Sequence, residues 1–97
     1  MTTLIDSTVA EQSVAEQNIL IVDDEVRLSR FVSMCLDRAG YTTFTCQSVD
    51  EARERLQTAK WSLVLTDLVM PHETGFDLLR WIGENYPQLP VIVLTAH

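Results

Sequence analysis

ILIVDDE, the stretch formed by residues 19–25, sets the fold class of this chain. It opens with four consecutive apolar residues, three of them β-branched, and such a run favours a strand that is buried on both faces. Strands of this kind are typical of parallel sheets, whose crossover helices cover both sides. The run ends in three acidic residues, Asp23, Asp24 and Glu25. The stretch therefore predicts a buried parallel strand with carboxylates at its carboxyl end.

Three further segments have strand character. The run LVL at residues 63–65 predicts a buried strand, and the run VIVL at residues 91–94 predicts a fourth apolar strand. Residues 41–46 are rich in Thr and aromatic side chains, which indicates a less buried strand at an edge of the sheet. Thr66 and Asp67 follow the LVL run, and Thr95 follows the VIVL run.

Helical patterns separate the four predicted strands. After the first strand, apolar residues recur at spacings of three and four and predict one buried helix face: Leu28, Phe31, Val32, Cys35, Leu36 and Ala39. Gly40 follows, where glycine easily forms a left-handed cap. Strands that alternate with helical crossovers predict an α/β domain with a parallel sheet and right-handed connections.

Two more helices complete the alternation. Ser48 and Glu51 match a capping box, in which each side chain accepts the other residue's amide, at the start of a helix over residues 49–59. Residues 75–85 predict a third helix, with an apolar face formed by Phe76, Leu79 and Ile82, and Leu78 beside them.

The carboxyl ends of parallel strands meet at one edge of a sheet, where doubly wound folds bind their ligands. Asp23, Asp24 and Asp67 are therefore expected to converge there, with Thr95 at the end of the fourth strand. Close carboxylates repel one another, and their ionised form needs a cation. Oxygen ligands alone suit Mg²⁺. Such a site predicts that a carboxylate attacks an incoming phosphoryl group, with the Thr95 hydroxyl as a donor.

Composition narrows the function further. The net charge of −7 argues against direct nucleic-acid binding. The amino terminus lacks the basic start and apolar stretch of a signal peptide, and no apolar run approaches a membrane span, so we expect a cytoplasmic protein without membrane contact.

Residues 1–17 are polar and predict a flexible tail ahead of one domain over residues 18–97. The two cysteines, Cys35 and Cys46, are expected to be buried and reduced.

Taken together, these motifs resemble the receiver domain of two-component response regulators. The similarity is carried by ILIVDDE at residues 19–25, LVLTDLVMP at residues 63–71, Gly75, and VIVLTA at residues 91–96. It implies a flavodoxin-like doubly wound parallel sheet with the strand order 2-1-3-4. It also implies a phosphoryl-accepting module that a sensor histidine kinase phosphorylates, and not an ordinary turnover enzyme.

The resemblance also implies roles for single residues. Asp67 resembles the phosphoacceptor, and Thr95 resembles the switch hydroxyl that moves toward the phosphoryl group. For Mg²⁺, Asp24 resembles the direct ligand, Asp23 a ligand acting partly through water, and the backbone carbonyl of Val69 completes the set. Val69 and His97 occupy positions where the family tunes dephosphorylation, although His97 is more simply a terminal residue.

The chain departs from the family pattern in one respect. The pattern continues into a fifth strand and a lysine that contacts the phosphoryl group, whereas this chain stops at His97. Lys60, the one lysine, precedes the third strand, at its opposite end, and is not expected to replace it. We therefore expect a domain that is incomplete at its carboxyl end, with the fourth strand as an open edge through which the chain self-associates.

Two other functions are compatible with the sequence. A Mg²⁺-dependent aspartyl phosphatase would use the same residue types, but that family places its two aspartates as DxD after the first strand, whereas here they are adjacent. An interaction module that is never phosphorylated is the second alternative. Phosphate-binding glycine motifs for nucleotides are absent from the sequence.

Overall fold

The computed structural model describes residues 17–70 and 74–94 of the chain. Strands and helices alternate along these residues. The strands are β1 (Asn18–Val22), β2 (Thr42–Cys46), β3 (Leu63–Thr66) and β4 (Val91–Val93), and the helices are α1 (Val26–Arg38), α2 (Val49–Thr58) and α3 (Gly75–Asn85). None of the helices in the described ranges is both long enough and apolar enough to cross a membrane.

The four strands form one parallel sheet in the order β2-β1-β3-β4. In the central register, Leu20 of β1 lies opposite Phe44 of β2 and Val64 of β3. This order confirms the predicted doubly wound arrangement, and β2 is an edge strand with mostly exposed side chains, as its threonines indicated. All four carboxyl ends therefore lie at the same edge of the sheet.

The predicted tail, residues 1–17, lies outside the described residues except for its last member. Gln17 accepts a hydrogen bond from the Thr42 amide at 3.3 Å through its backbone carbonyl. The sheet contacts between β1 and β2 therefore begin one residue before β1 itself.

Alternate residues of β1 and β3 are buried on opposite faces of the sheet. Leu20, Val22 and Val64 join a core cluster with residues of α2 and α3. Ile19, Ile21 and Leu65 form a smaller cluster on the other face, against Val32 and Leu36 of α1. Burying an aliphatic side chain of this size contributes roughly 1.5–3 kcal/mol relative to leaving it exposed. The continuous apolar runs of the sequence therefore serve both faces, as predicted.

Helix α1 contacts the sheet through a narrower stripe than its apolar residues predict. Val32 and Leu36 pack against the sheet, but Phe31 is 61% exposed, and Cys35 and Ala39 are also exposed. The expectation that both cysteines are buried is thus wrong for Cys35 and confirmed for Cys46. The third member of the buried stripe is Ser29, whose hydroxyl is accommodated because it donates to the Val26 carbonyl at 3.1 Å.

The end of α1 is the predicted glycine cap. Gly40 has a φ of 100°, in the left-handed region that side chains with a Cβ rarely adopt. The Gly40 amide donates to Asp37 at 3.0 Å and the Tyr41 amide donates to Leu36 at 3.1 Å, which is the Schellman pattern. These bonds satisfy carbonyls that the helix leaves open and turn the chain into β2.

Helix α2 begins with one half of the predicted capping box. The Ser48 hydroxyl accepts the Glu51 amide at 3.1 Å, as expected. The Glu51 carboxylate, however, accepts the amide of Gln47 at 3.0 Å and not that of Ser48. The reciprocal bond was therefore predicted one residue too late, because the long Glu side chain reaches past the N-cap. The helix ends at Thr58.

The buried face of α3 includes Ile82 and Leu78, as predicted, but not Phe76. Gly75, Leu78 and Ile82 face the core, whereas Phe76 is 60% exposed. The helix begins with a complete capping box in which Thr74 and Asp77 exchange bonds. Gly75 lies against the backbone of Asp67 and Leu68, where a residue with a Cβ would collide, and Phe76 points away from the core.

Candidate functional site

Three carboxylates meet at the carboxyl edge of the sheet. Asp23 and Asp24 directly follow β1, and Asp67 directly follows β3, the neighbouring strand. One carboxylate oxygen from each residue lies within 4.8 Å of the others. The structure therefore brings together the three aspartates that the sequence singled out.

The sheet itself fixes the backbone of the two buried aspartates. The Asp23 amide donates to the Cys46 carbonyl of β2, and the Asp67 amide donates to the Val22 carbonyl of β1, both at 3.0 Å. These bonds continue the parallel ladders by one residue beyond the strands. The backbones of Asp23 and Asp67 are thus held by the hydrogen bonds of the sheet and not by a free loop.

Backbone amides also orient the side chains. Asp23 Oδ1 accepts the Glu25 amide at 2.8 Å, just ahead of α1. Asp67 Oδ1 accepts the Val69 amide at 3.2 Å, in the loop that leaves β3. Each of these carboxylates therefore has one oxygen held by the chain that follows it.

The cluster concentrates negative charge in a mostly buried place. Asp23 and Asp67 are 3% and 7% exposed, and Asp24 is exposed. Burial raises the pKa of Asp23 above its ordinary value of 3.8; the Glu25 amide opposes this, and the charges of Asp67 and Asp24 raise the pKa further. A cation would relieve this repulsion, and a donor set of carboxylate oxygens suits a hard divalent cation. The cluster can therefore hold a metal ion.

The structure describes Val69 and Lys60, but not Thr95 and His97, among the other residues that the sequence singled out. Val69 follows the cluster, with its apolar side chain 60% exposed. Thr95 and His97 lie outside the described residues, although Leu94, which precedes Thr95, donates its amide to Thr66 at 2.8 Å. Lys60 precedes β3, at the end opposite Asp67, as expected.

Two contacts of the Asp67 backbone were not predicted. The Thr66 hydroxyl donates to the Asp67 carbonyl at 3.0 Å, and Gly75 packs against the same carbonyl. No local pattern signals the Thr66 contact. The T-x-x-D pattern at residues 74–77 does mark the start of α3, which is the element that delivers Gly75 to this place.

Comparisons with known proteins identify the family of the chain. A model of the response regulator receiver domain matches residues 19–97. The chain is 37% identical over 83 residues to the response regulator protein PilR of Pseudomonas aeruginosa, and the match covers 86% of this chain but only 19% of PilR. The chain thus corresponds to a small part of that regulator.

Two similar solved structures contain the response regulator TrrA of Thermotoga maritima. TrrA in complex with Mg(2+)-BeF has a TM-score of 0.81 and 28% identity, over 84% of this chain and 70% of TrrA. TrrA in complex with the histidine kinase ThkA has a TM-score of 0.79 and 29% identity, over 82% of this chain and 69% of that chain. Fold and sequence similarity agree, and the chain belongs to the response regulator receiver domain family of two-component systems.

Proposed function

We propose that Asp67 is the phosphoacceptor of this receiver domain. The observation that carries the proposal is the position of its carboxylate, which lies at the end of a central strand within 4.8 Å of two other carboxylates. A Val69 amide holds Oδ1. The second oxygen has no such bond among the described residues and is the one that we assign as nucleophile.

The reaction is a phosphoryl transfer from a phosphohistidine. A carboxylate oxygen of Asp67 attacks phosphorus while the bond between phosphorus and the imidazole nitrogen breaks. The product is an acyl phosphate on Asp67, and the released imidazole takes up a proton. The same site would later return the phosphoryl group to water, so that the domain catalyses its own phosphorylation and dephosphorylation without acting as a turnover enzyme.

The donor set fits Mg²⁺. We assign Asp24 as a direct ligand, Asp23 as a ligand acting partly through water, and the Asp67 carboxylate and the Val69 backbone carbonyl as the remaining protein ligands. The support is the all-oxygen composition of the cluster and the burial of Asp23, whose charge needs compensation. When bound, the ion neutralises the charge of the incoming phosphoryl group.

Partner and signal follow from the same proposal. A sensor histidine kinase is the proposed donor, and it is supported by the structure of TrrA with the kinase ThkA. Thr95 is the proposed switch hydroxyl, because Leu94 joins the end of β4 to Thr66, beside Asp67. Phosphorylation would then shift the domain between two conformations. The cytoplasm is the proposed location, since it holds the ATP that charges such kinases.

Intact-mass spectrometry tests the proposal directly. The chain is incubated with Mg²⁺ and acetyl phosphate, and we expect one added phosphoryl group that hydroxylamine removes, as it does from an acyl phosphate. Asp67→Asn should show no addition, and Glu84→Gln, which changes an exposed carboxylate of α3, should behave like the wild type. Asp24→Asn should need more Mg²⁺.

Three results would refute the assignment. Equal phosphoryl uptake by the wild type and Asp67→Asn would place the modification elsewhere. No uptake by the wild type from either acetyl phosphate or a phosphorylated kinase would favour the interaction module. Steady hydrolysis of a phosphate monoester would instead favour the aspartyl phosphatase.

A further inference from the structure

The main-chain carbonyl of Asp67 is contacted by two residues, Thr66 and Gly75. The Thr66 hydroxyl donates to it at 3.0 Å, and the whole of Thr66 is buried. Gly75 is the first residue of α3. We call this arrangement, formed by Thr66, Gly75 and the Asp67 carbonyl, the carbonyl clamp.

Gly75 can occupy its position only because it has no side chain. A Cβ at this residue would collide with the Asp67 carbonyl oxygen and would lie 2.8 Å from the Leu68 Cα. Both of these are backbone atoms, which cannot move aside as a flexible side chain does. Gly75 also donates its amide to the Leu68 carbonyl at 3.0 Å. Helix α3 therefore begins in direct contact with the peptide that follows Asp67.

This peptide connects the clamp to the Asp67 carboxylate. Leu68 leads to Val69, whose amide donates to Asp67 Oδ1 at 3.2 Å. A displacement of the Asp67–Leu68 peptide would move the Val69 amide relative to the carboxylate that it holds. The orientation of the carboxylate thus depends on contacts made by Thr66 and Gly75, neither of which takes part in the chemistry.

We propose that Thr66 and Gly75 are positioning residues, which clamp the Asp67 carbonyl and thereby orient the Asp67 carboxylate for attack on phosphorus. The proposal rests on the function of Asp67 proposed above. Misplacement of a reacting group by about 1 Å can slow a reaction by roughly 100-fold. Loss of the clamp is therefore expected to slow phosphoryl uptake by about 10- to 100-fold.

Helix α3 supplies a matched control. Gly83 belongs to the same helix, and a Cβ built there meets nothing within 4 Å beyond its chain neighbours and the nearby backbone of the helix. Gly83→Ala therefore makes the same chemical change as Gly75→Ala without touching the clamp. Ile82→Val is a second control, because it removes a methylene from a core residue of α3 and lowers stability away from Asp67.

The experiment compares Gly75→Ala and Thr66→Val with the two controls. The initial rate of phosphoryl uptake is measured over a range of acetyl phosphate concentrations at saturating Mg²⁺. Hydrogen exchange of the Val69 amide is followed by NMR. We expect both clamp variants to show a maximal rate about 10- to 100-fold lower, at an unchanged half-saturating donor concentration, and faster Val69 exchange. Gly83→Ala and Ile82→Val should match the wild type in both readouts.

The outcomes separate this proposal from the proposed function. Val69 exchange and uptake rates that match the wild type in the clamp variants would overturn the clamp. A slowed rate in Ile82→Val would attribute the effect to lost stability and would also overturn it. If Gly75→Ala does not fold, Thr66→Val decides, because it adds no volume at the helix. If the wild type takes up no phosphoryl group, the proposed function fails, while Val69 exchange still decides the clamp.

Discussion

Asp23 is almost fully buried beside Asp24 and Asp67, and its raised pKa reflects burial first and the neighbouring charges after it. The native state therefore binds the Asp23 proton more tightly than the unfolded chain does. The contribution of Asp23 to stability is fully present below its ordinary pKa of 3.8 and is lost as the pH rises through the raised pKa. At neutral pH without metal, the buried charge of Asp23 opposes folding.

Asp23→Asn should therefore stabilise the metal-free domain. The amide keeps the size of the carboxyl group and an oxygen that can accept the Glu25 amide, but it removes one buried charge. We expect the Tm at pH 7 in EDTA to rise by roughly 4–8 °C, the shift that about 1 kcal/mol produces in a domain of this size. The gain should shrink as the pH falls toward 3.8.

A differential scanning calorimetry series over pH checks this prediction. Asp24→Asn is the comparison variant, and its effect should be smaller because Asp24 is exposed. Adding Mg²⁺ should raise the Tm of the wild type more than that of Asp23→Asn. An unchanged Tm for Asp23→Asn at pH 7 in EDTA would mean that the repulsion costs little.

The two cysteines should differ strongly in reactivity. Burial raises the pKa of Cys46 to about 12, and only 1% of the residue is exposed, so almost none of it is thiolate at neutral pH. Cys35 is exposed on α1. At pH 8, iodoacetamide should modify one cysteine of the folded chain, and peptide mapping should identify it as Cys35. Cys35→Ser should remain unmodified until denaturant is added; rapid labelling of Cys46 in the folded chain would contradict its burial.

The capping box at the start of α3 should make a measurable contribution to stability. The Thr74 hydroxyl accepts the Asp77 amide, and the Thr74 amide donates to Asp77 Oδ2 at 3.1 Å. Thr74→Ala removes the hydroxyl and should lower the free energy of unfolding by about 1 kcal/mol in urea denaturation. Ser48→Ala, which removes the matching hydroxyl of α2, should cost a similar amount. A Thr74→Ala variant as stable as the wild type would show that Asp77 alone caps the helix.

The capping box of Thr74 and Asp77 predicts that acid lowers the stability of the domain, which is opposite to the effect predicted for Asp23. The Thr74 amide lowers the pKa of Asp77, with smaller contributions from the Thr74 hydroxyl and two arginines. Asp77 therefore stabilises the fold above its ordinary pKa of 3.8, and this contribution is lost as the pH falls through the lowered pKa. Asp77→Ala should be less stable than the wild type at pH 7, and the difference should shrink as the pH falls below 3.8. A constant difference over this range would rule out a charge effect.

The elements also show where sequence patterns suffice and where they do not. The apolar runs around Leu20 and Val64 identify buried strands, because β1 and β3 are covered on both faces and have no polar side to alternate with. Asp23, Asp24 and Asp67 follow from these runs, since strand ends fix their place. The left-handed cap at Gly40 could be predicted because a glycine follows the helical pattern directly.

Helix rotation could not be predicted in the same way. Phe31 and Phe76 are among the most apolar residues of their helices, yet both are largely exposed. Close approach decides the rotation: Gly75 must face the Asp67 carbonyl, which directs Phe76 outward. The contact of the Thr66 hydroxyl with the next residue's carbonyl depends on one side-chain torsion, and no spacing in the sequence reports a torsion.

The open side of β4 favours association of the chain with a second copy in solution. Within the described ranges, β4 pairs with β3 alone, and Ile92 is 49% exposed. Its three residues carry no charge that would discourage pairing with another strand. We therefore predict that the 97-residue chain self-associates through β4. Sedimentation velocity over increasing concentration should show dimers or larger species for the wild type.

Matched substitutions test this surface. Ile92→Lys should sediment as a monomer, because a charge on a short edge strand opposes pairing. Phe31→Lys changes an even more exposed apolar residue, on α1, and should leave the association unchanged. A wild type that stays monomeric at every concentration would contradict the prediction, and an effect of Phe31→Lys equal to that of Ile92→Lys would move the interface to α1.

The strand order has a further consequence during synthesis of the chain. β1 is made before its partners, yet it lies between β2 and β3 in the finished sheet. At a translation rate of about 5–20 residues per second, the ribosome needs a few seconds to proceed from the end of β1 to the end of β3. During that interval, the backbone N–H and C=O groups and the apolar side chains of Ile19–Val22 lack one or both neighbouring strands. The strand that becomes the most protected in the native sheet is thus the one that a nascent chain exposes longest to chaperones.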